Sequence, residues 1–345
     1  MQDQRSSVTI KQVAERAGVS LMTVSRVINK NGIVKSTTRD RVQQAINDLN
    51  YRPNISARRL AGGKSLFLGL VYQNPSPSYL SSVLIGALAA CRSIGCHLVL
   101  EDLGQQAPYK RPEETVQALK SAGLDGVIVT PPLSNHEEFL EILEDYGLAV
   151  VRVAPENIHT DKLCVAMDDT QAARDMMEYL VEAGHRHIGF VKGPPNHPSS
   201  GHRLSGFLNG AAEFGLEVSE ELIIQGDFTY RSGFDAGRQF LSRKERPTAI
   251  FACNDDMAAG VVAAAYRQGL SVPDDVSIVG FDDTEMAKNI WPELTTVKQP
   301  IGEMADHAVR LLAGSIRGEA DTIQSMRGLL DHEIIVRDTV RRVAP

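Results

Sequence analysis

IKQVAERAGVSLMTVSRVIN, residues 10–29, reads as two short helices joined by a tight turn, and the rest of the chain takes its meaning from them. Val13 and Ala17 fall on one face of the first helix. Val24, Val27 and Ile28 fall on one face of the second, at spacings that a 3.6-residue period stacks together. Gly18 stands at the corner, where the turn needs positive φ or a close backbone approach. Val19 plugs the gap between the helices, Ala14 is small where they cross, and Ser20 is placed to cap the helix starting at Leu21. This constellation is a helix-turn-helix in which residues 21–29 enter the major groove of DNA. An ordinary αα-hairpin inside a helical bundle is the alternative, but such hairpins rarely carry small residues, glycine, plug and cap in register. The second helix leaves Thr23, Ser25 and Arg26 outward, with Leu21 and Met22 at its leading end, the composition of a groove-reading surface.

Charge is divided unevenly along the chain. Residues 1–64 carry twelve Lys/Arg against four Asp/Glu, a net +8, so the whole-chain charge of −7 leaves −15 on the remainder. A basic head on an acidic body places the contact with a polyanion at the head. With 345 residues, 43% of them hydrophobic, there is chain enough for a small domain plus one large or two medium ones. The opening MQDQRSSVT lacks the apolar run of a signal peptide, and no later run is long enough to span a bilayer, so a cytoplasmic location is expected. Cys91, Cys96, Cys164 and Cys253 show neither CxxC pairing nor metal-ligand spacing, and all four read as small apolar core residues. Neither a metal nor a cofactor is expected.

Beyond the hairpin, Ser36 is placed to cap a third helix over residues 37–49, whose Val42, Ala45, Ile46 and Leu49 face the first two. Arg39 and Arg41 remain available for phosphates or stand as solvated surface charges. In YRPNISARRLAGG, Pro53 stops this helix, Asn54 can start a new one and Gly62-Gly63 end it. A helix that short, well below about 12 residues, is marginal alone in water. It needs a partner, which a second copy supplies if two hinge helices pair over DNA and Leu60 wedges into the minor groove. A plain linker is the competing reading of the same residues.

The run VTIKQVAERAGVSLMTVSRVIN, followed by LNYRPN and ARRLAGGKS, resembles the head and hinge of the LacI/GalR (lactose-repressor) family of bacterial transcription regulators. The resemblance implies that the hinge helix folds on operator with Leu60 in a central minor-groove step, and that Leu21, Met22 and Arg26 hold the principal base-reading positions. The expected DNA contacts are Thr9, Ser20, Leu21, Met22, Thr23, Ser25, Arg26 and Asn29 in the head. Asn54, Ala57, Arg58 and Leu60 are those of the hinge. Leu21 and Met22 are apolar where many relatives are polar, so contacts there would be to thymine methyls or other apolar edges.

From residue 66 onward apolar runs alternate with amphipathic helices. LFLGLVY (66–72), HLVLE (97–101), DGVIVT (125–130) and LAVVRV (148–153) read as buried parallel strands, followed by a second set at 163–167, 187–193, 249–255 and 276–283. Helices of the second set are expected over residues 170–183, 202–214, 230–241, 257–268 and 301–317. Strands alternating with helices of this length indicate α/β architecture of doubly wound parallel sheets, and two sets in tandem indicate two lobes with a cleft between them. The expected division is a headpiece at 1–52, a hinge helix and linker at 53–64, and a two-lobe domain at 65–345. Lobe 1 is expected over about 65–160 plus 284–316, and lobe 2 over about 161–283 plus 317–345.

Ligands of open α/β sheets sit beyond the carboxyl ends of the strands. Those ends and adjoining loops carry Asn74, Thr130, Arg203, Phe228, Asn254, Asp256, Asp282 and Gln299, with Tyr79 in the loop after the first strand. Amides, carboxylates, a guanidinium and an aromatic plate suit a neutral polyol, and no phosphate-cradling glycine loop accompanies them. Asp168-Asp169 read as ordinary helix caps. GHRHIGFVKGP, RLSGF, CNDDMAAG, SIVGFDDTE and LTTVKQP also resemble the same family's periplasmic-binding-protein-like effector lobes, so the likeness covers nearly the whole chain. It implies that Arg203 and Asp282 hold effector hydroxyls, with Asn254, Asp256 and the aromatic Phe228 beside them. It further implies a homodimer on palindromic operator DNA, since RDTVRRVAP lacks the heptads of a tetramerising helix.

The function expected is therefore a repressor of carbohydrate-utilisation genes, with a purine or nucleoside corepressor as the second reading. A transport receptor would need an export signal and no basic head. A sugar-handling enzyme would need a coupled acid, base or nucleophile, and His185, His187, Asp255 and Asp283 show no such spacing.

Overall fold

The structure, a computed structural model, describes residues 10–28, 35–49, 65–73, 76–103, 111–158, 162–325 and 328–343. Thr9, Asn29, Asn54, Ala57, Arg58, Leu60 and Asn74, with the whole expected hinge helix, lie outside the described residues. The chain divides into two compact units, Met1–Ser65 and Leu66–Pro345.

In the first unit α1 (Ile10–Ala17), α2 (Leu21–Ile28) and α3 (Ser36–Asp48) enclose a core of Val13, Ala14, Ala17, Val24, Val42 and Ala45. Val19, Val27, Ile46 and Leu49 pack at its edge. Gly18 sits at φ +65°, and the next amide, of Val19, donates to the Ala14 carbonyl at 3.1 Å to close α1. Ser20 caps α2, its Oγ accepting from the Thr23 amide at 3.2 Å. The expected cap of the third helix is corrected: Ser36 is already helical. The cap position falls to Lys35, whose carbonyl accepts from the amides of Thr38 and Arg39 at 3.0 Å each. An ammonium side chain has no acceptor to offer, so only backbone closes that end.

Among the described residues the second unit forms two six-stranded sheets. The elements in chain order are β1 (Phe67–Tyr72), α4 (Pro77–Ile94), β2 (His97–Asp102), α5 (Pro112–Ser121), β3 (Gly126–Val129), α6 (Glu137–Asp145), β4 (Ala149–Val153) and β5 (Cys164–Met167). There follow α7 (Asp169–Glu182), β6 (Ile188–Lys192), α8 (Pro198–Glu213), β7 (Ile223–Gln225), α9 (Tyr230–Leu241), β8 (Ala249–Ala252), α10 (Asp255–Arg267) and β9 (Ser277–Asp282). The chain ends with α11 (Glu285–Asn289), β10 (Thr295–Lys298), α12 (Ile301–Arg317), α13 (Ala320–Ser325), β11 (Leu329–Leu330) and β12 (Glu333–Ile335). The first sheet has the order β11-β5-β4-β3-β1-β2 and is parallel throughout. The second has the order β12-β10-β9-β8-β6-β7, parallel except for the antiparallel edge strand β12.

The lobe boundaries expected from sequence need three corrections. β5 does not open the second set: it pairs with β4, Arg152 opposite Cys164 and Val153 opposite Val165, and completes the first sheet. Residues 295–298, expected in lobe 1, form β10 of the second sheet beside β9. β11, within the 317–345 span expected in lobe 2, pairs with β5 at the edge of the first sheet. An apolar run states that a strand is buried but not which neighbour it pairs with. The chain therefore passes between sheets after β5, after β10 and between β11 and β12. After the second passage α12 lies against α4 so closely that a Cβ at Gly86 would stand 2.5 Å from the Gly302 carbonyl oxygen. Cys91, Cys96 and Cys253 are buried, while Cys164 is half-buried on β5 rather than in the core.

Candidate functional site

On the headpiece the leading end of α2 stands in solvent. Leu21 is 49% and Met22 64% exposed, although both are large and apolar and the helix core beside them is sealed. Arg26, Arg39 and Arg41 are exposed, and Thr23 and Ser25 half-buried. The Ser20 and Thr23 hydroxyls are 2.9 Å apart, so these two expected contacts are partly committed to each other. Arg16 pairs with Asp48 at 3.1 Å on the surface, tying α1 to α3.

In the second unit, six of the expected effector residues line one cavity: Tyr79, Arg203, Phe228, Asn254, Asp282 and Gln299. Arg203, on the first turns of α8, is 3% exposed and its guanidinium lies 3.7 Å from the centre of the Phe281 ring. Its Nε donates to Asp169 at 2.7 Å and its Nη1 to the Cys253 carbonyl at 2.6 Å, with Asp282 Oδ1 at 3.4 Å. Burial opposes the charge on Arg203, but the carboxylates of Asp169 and Asp282 outweigh it and hold the guanidinium protonated. Asp282 ends β9 at φ +120° and Phe228 follows β7 at φ +67°. Such backbone is costly for side chains other than glycine and persists where surrounding structure imposes it, often at ligand sites.

Burial pushes the Asp282 carboxyl well above the usual carboxylate range; Arg203 opposes the rise, and Asp255, Asp256 and Asp169 add to it. Tyr79 is raised by burial and then by Asp282, so its phenol stays protonated and able to donate. The Phe228 ring rests on Gly193, where any side chain would strike it, and its carbonyl accepts from Asn254 Nδ2 at 3.1 Å.

Three expected contacts have other roles. Asn254 lines the cavity, but as the cap of α10: its Oδ1 accepts from the Met257 amide at 3.0 Å and its amide nitrogen is spent on Phe228. Asp256 instead links the lobes, accepting from Ser76 Oγ at 2.6 Å and Ser78 Oγ at 2.8 Å. Thr130 is buried with its hydroxyl on the Val71 carbonyl at 3.3 Å, and its neighbour Pro131 reaches the cavity.

The loop Asn74-Pro-Ser-Pro-Ser-Tyr79, expected to line the cleft, supplies Ser76, whereas sequence reasoning missed three lining residues, Pro131, His197 and Ser199, and one supporting residue, Asp169. His197 and Ser199 escaped because α8 was expected from residue 202, whereas it begins at Pro198. A proline at the first helical position was the available signal. Asp168 does cap α7, accepting from the Gln171 amide at 2.8 Å, but Asp169 turns inward to Arg203. His197 stands edge-to-face with Phe228, ring centres 5.0 Å apart, and burial together with Arg203 lowers its pKa to about 3. Among the described residues no group of three or more His, Cys, Asp or Glu could hold a metal ion, and no helix is long and apolar enough to cross a membrane.

Comparison with known proteins agrees with both halves. Residues 9–54 match the family described as bacterial regulatory proteins, lacI family, and residues 177–340 a periplasmic binding protein-like domain. The chain is 34% identical over 341 residues to catabolite control protein A of Priestia megaterium, covering 97% of this chain and 100% of that one. It is 37% identical over 326 residues to the HTH-type transcriptional repressor PurR of Proteus mirabilis (strain HI4320), covering 92% and 93%. Among solved structures, the Lac repressor dimer bound to operator and the anti-inducer ONPF superposes with a TM-score of 0.79 at 29% identity, covering 97% of this chain and 100% of that one. A complex of the transcriptional regulator CelR with cellobiose gives 0.70 at 29% identity, covering 96% and 99%. With both domains matched in order and identity above 30% over nearly its full length, the chain belongs to the lacI family of bacterial regulatory proteins.

Proposed function

We propose that this protein is a sequence-specific transcriptional repressor of carbohydrate-utilisation genes, binding a palindromic operator as a homodimer and controlled by a small sugar-like effector held between its lobes. The observation that carries the sensing half is the buried polar cavity, to which Ser76, Tyr79 and Pro131 contribute from one lobe and Arg203, Phe228 and Asp282 from the other. The exposed Leu21 and Met22 at the start of α2 support the reading half, and the operator-bound Lac repressor dimer and cellobiose-bound CelR are consistent with each. A purine corepressor is the second reading, favoured by the Phe228 ring in the cavity wall and by the PurR relatives.

Asp169 and Gln299 lie on two of the passages between sheets, so a ligand held by Arg203 and Gln299 bears directly on the lobe hinge. Lobe rearrangement is then coupled to operator affinity. A ligand moves that equilibrium only by its difference in affinity for the two lobe arrangements.

No catalytic chemistry is assigned. His185 is tied to Thr248, His187 to the Arg246 carbonyl, Asp255 to Thr284 and Thr296, and Asp283 to Arg337. The protein acts in the bacterial cytoplasm, where its operator is.

The test is fluorescence anisotropy of a labelled duplex from the protein's own promoter region, at low salt, titrated with glucosides, other sugars and nucleobases. One ligand class should change operator affinity by about 5- to 150-fold, the usual span of allosteric coupling. Absence of duplex binding under all conditions defeats the proposal.

A further inference from the structure

Two cavity side chains have polar atoms that the fold leaves unmatched. Both ring nitrogens of His197, 6% exposed, and Oε1 of Gln299, 5% exposed, are buried without a hydrogen-bond partner. Such atoms are rare in native proteins and point to something outside the protein that completes them. His197 occupies the cap position of α8 without making a side-chain cap bond, so its ring nitrogens serve no helix cap either.

The charges around these atoms leave no positive charge over. Arg203 is the only Lys or Arg lining the cavity among the described residues, and its guanidinium is engaged by Asp169, the Cys253 carbonyl and Asp282. If Asp282 is ionised the trio of Arg203, Asp169 and Asp282 is net negative. If it is protonated the trio is neutral and offers a carboxylic acid that both donates and accepts. In neither state does positive charge remain for an anion. His197 adds none, because burial and the adjacent Arg203 keep its ring neutral. A neutral imidazole presents one donor and one acceptor, and the Gln299 oxygen needs a donor. A hydroxyl group answers both, whereas a phosphate dianion or a carboxylate has no proton to give Gln299.

Resting on the reading of this cavity as the effector site, we infer that it selects an uncharged, hydroxyl-bearing molecule over its phosphorylated or carboxylated counterparts, and that His197 and Gln299 read the hydroxyls. The engaged charge of Arg203 sets the selectivity against anions, and His197 is a hydroxyl reader that the ligand completes.

The experiment is calorimetric titration of the full-length protein with glucose, cellobiose, glucose 6-phosphate, gluconate and adenine, with inorganic phosphate as competitor. A neutral sugar should bind at least tenfold more tightly than its phosphate ester or acid, and phosphate should not compete. His197→Phe keeps a ring against Phe228 and removes both nitrogens. It should weaken sugar binding about tenfold, as loss of one or two hydrogen bonds predicts, without lowering the melting temperature of the unliganded protein. His197→Asn, which returns a donor and an acceptor, should recover part of the affinity. Tighter binding of the ester, the acid or adenine, competition by phosphate, or unchanged sugar binding by His197→Phe would overturn the inference and leave the cavity as a sensing site. Silence of every compound, with operator affinity also unmoved, would overturn the sensing reading and the inference with it.

Discussion

Ser78 and Asp256 lie 178 positions apart and on different lobes, yet the Ser78 hydroxyl donates to Asp256 Oδ1 at 2.8 Å, beside the Ser76 bond to Oδ2 at 2.6 Å. A hydrogen bond to a charged partner contributes about 1.5–3 kcal/mol. Asp256 is only 5% exposed, so solvent screens little of it. Ser78 is the informative half to truncate. Ser76 Oγ also accepts from the Tyr79 amide at 3.2 Å and caps α4, and losing that cap would add about 1 kcal/mol of unrelated cost. Asp256 sits in the first turn of α10, where a carboxylate gains about 0.3–1 kcal/mol from the helix dipole. That gain cancels in a double-mutant cycle. Urea unfolding of Ser78→Ala, Asp256→Ala and the double variant should therefore give a coupling energy of about 1.5–3 kcal/mol. The same energy corresponds to about a 10- to 150-fold change in the ratio of joined to parted lobes, so effector affinity should change in the single variants. Additive effects within about 0.5 kcal/mol would refute the reasoning, because uncoupled residues do not join lobes.

Three further outcomes follow from the geometry. The His197 pKa is about 3 in the folded protein, against about 6.5 in an unfolded chain. The unfolded chain takes up a proton as pH falls below about 6.5 and the folded protein does not until about 3, so stability drops through that window, by about 2 kcal/mol between pH 7 and pH 5. His197→Phe should remove that part of the acid sensitivity in urea titrations, and an unchanged acid limb contradicts the assignment. Gly193→Ala would press a methyl into the Phe228 ring, costing about 1–3 kcal/mol and weakening effector binding; wild-type melting and affinity would show the plate to be loosely seated. Because Leu21 and Met22 are exposed, Leu21→Ser with Met22→Ser should leave headpiece stability within about 0.5 kcal/mol. The same pair should shift base preference in operator selection by about 1–3 kcal/mol per position, and an unaltered preference would count against groove reading by this end of α2.

Legibility differed by residue for physical reasons. Val13, Ala17, Val24, Val42 and Ala45 were readable as core because a helix repeats its faces every few residues. Gly18 and Ser20 were readable because a left-handed turn and a side-chain cap are local events. Arg203, Phe228, Asp282 and Gln299 were readable as a group because strand ends converge in an open α/β sheet. Asn254 and Asp256 belonged to the same neighbourhood, but whether each serves a cap, a latch or a ligand depends on atoms tens to hundreds of positions away. His197 was obscured by a misplaced helix start, and Asp169 by a residue type that caps helices as readily as it pairs with arginine.

Periodicity, turn chemistry and charge along the chain were enough to establish a basic three-helix reader ahead of an acidic α/β sensor, because each of those properties is set within a few residues. Which sheet β5 and β10 join, which carboxylate answers Arg203, and where His197 points were decided only when the chain folded. Strand pairing and buried ion pairs are contacts between distant residues, and their energies depend on partners that no local pattern names.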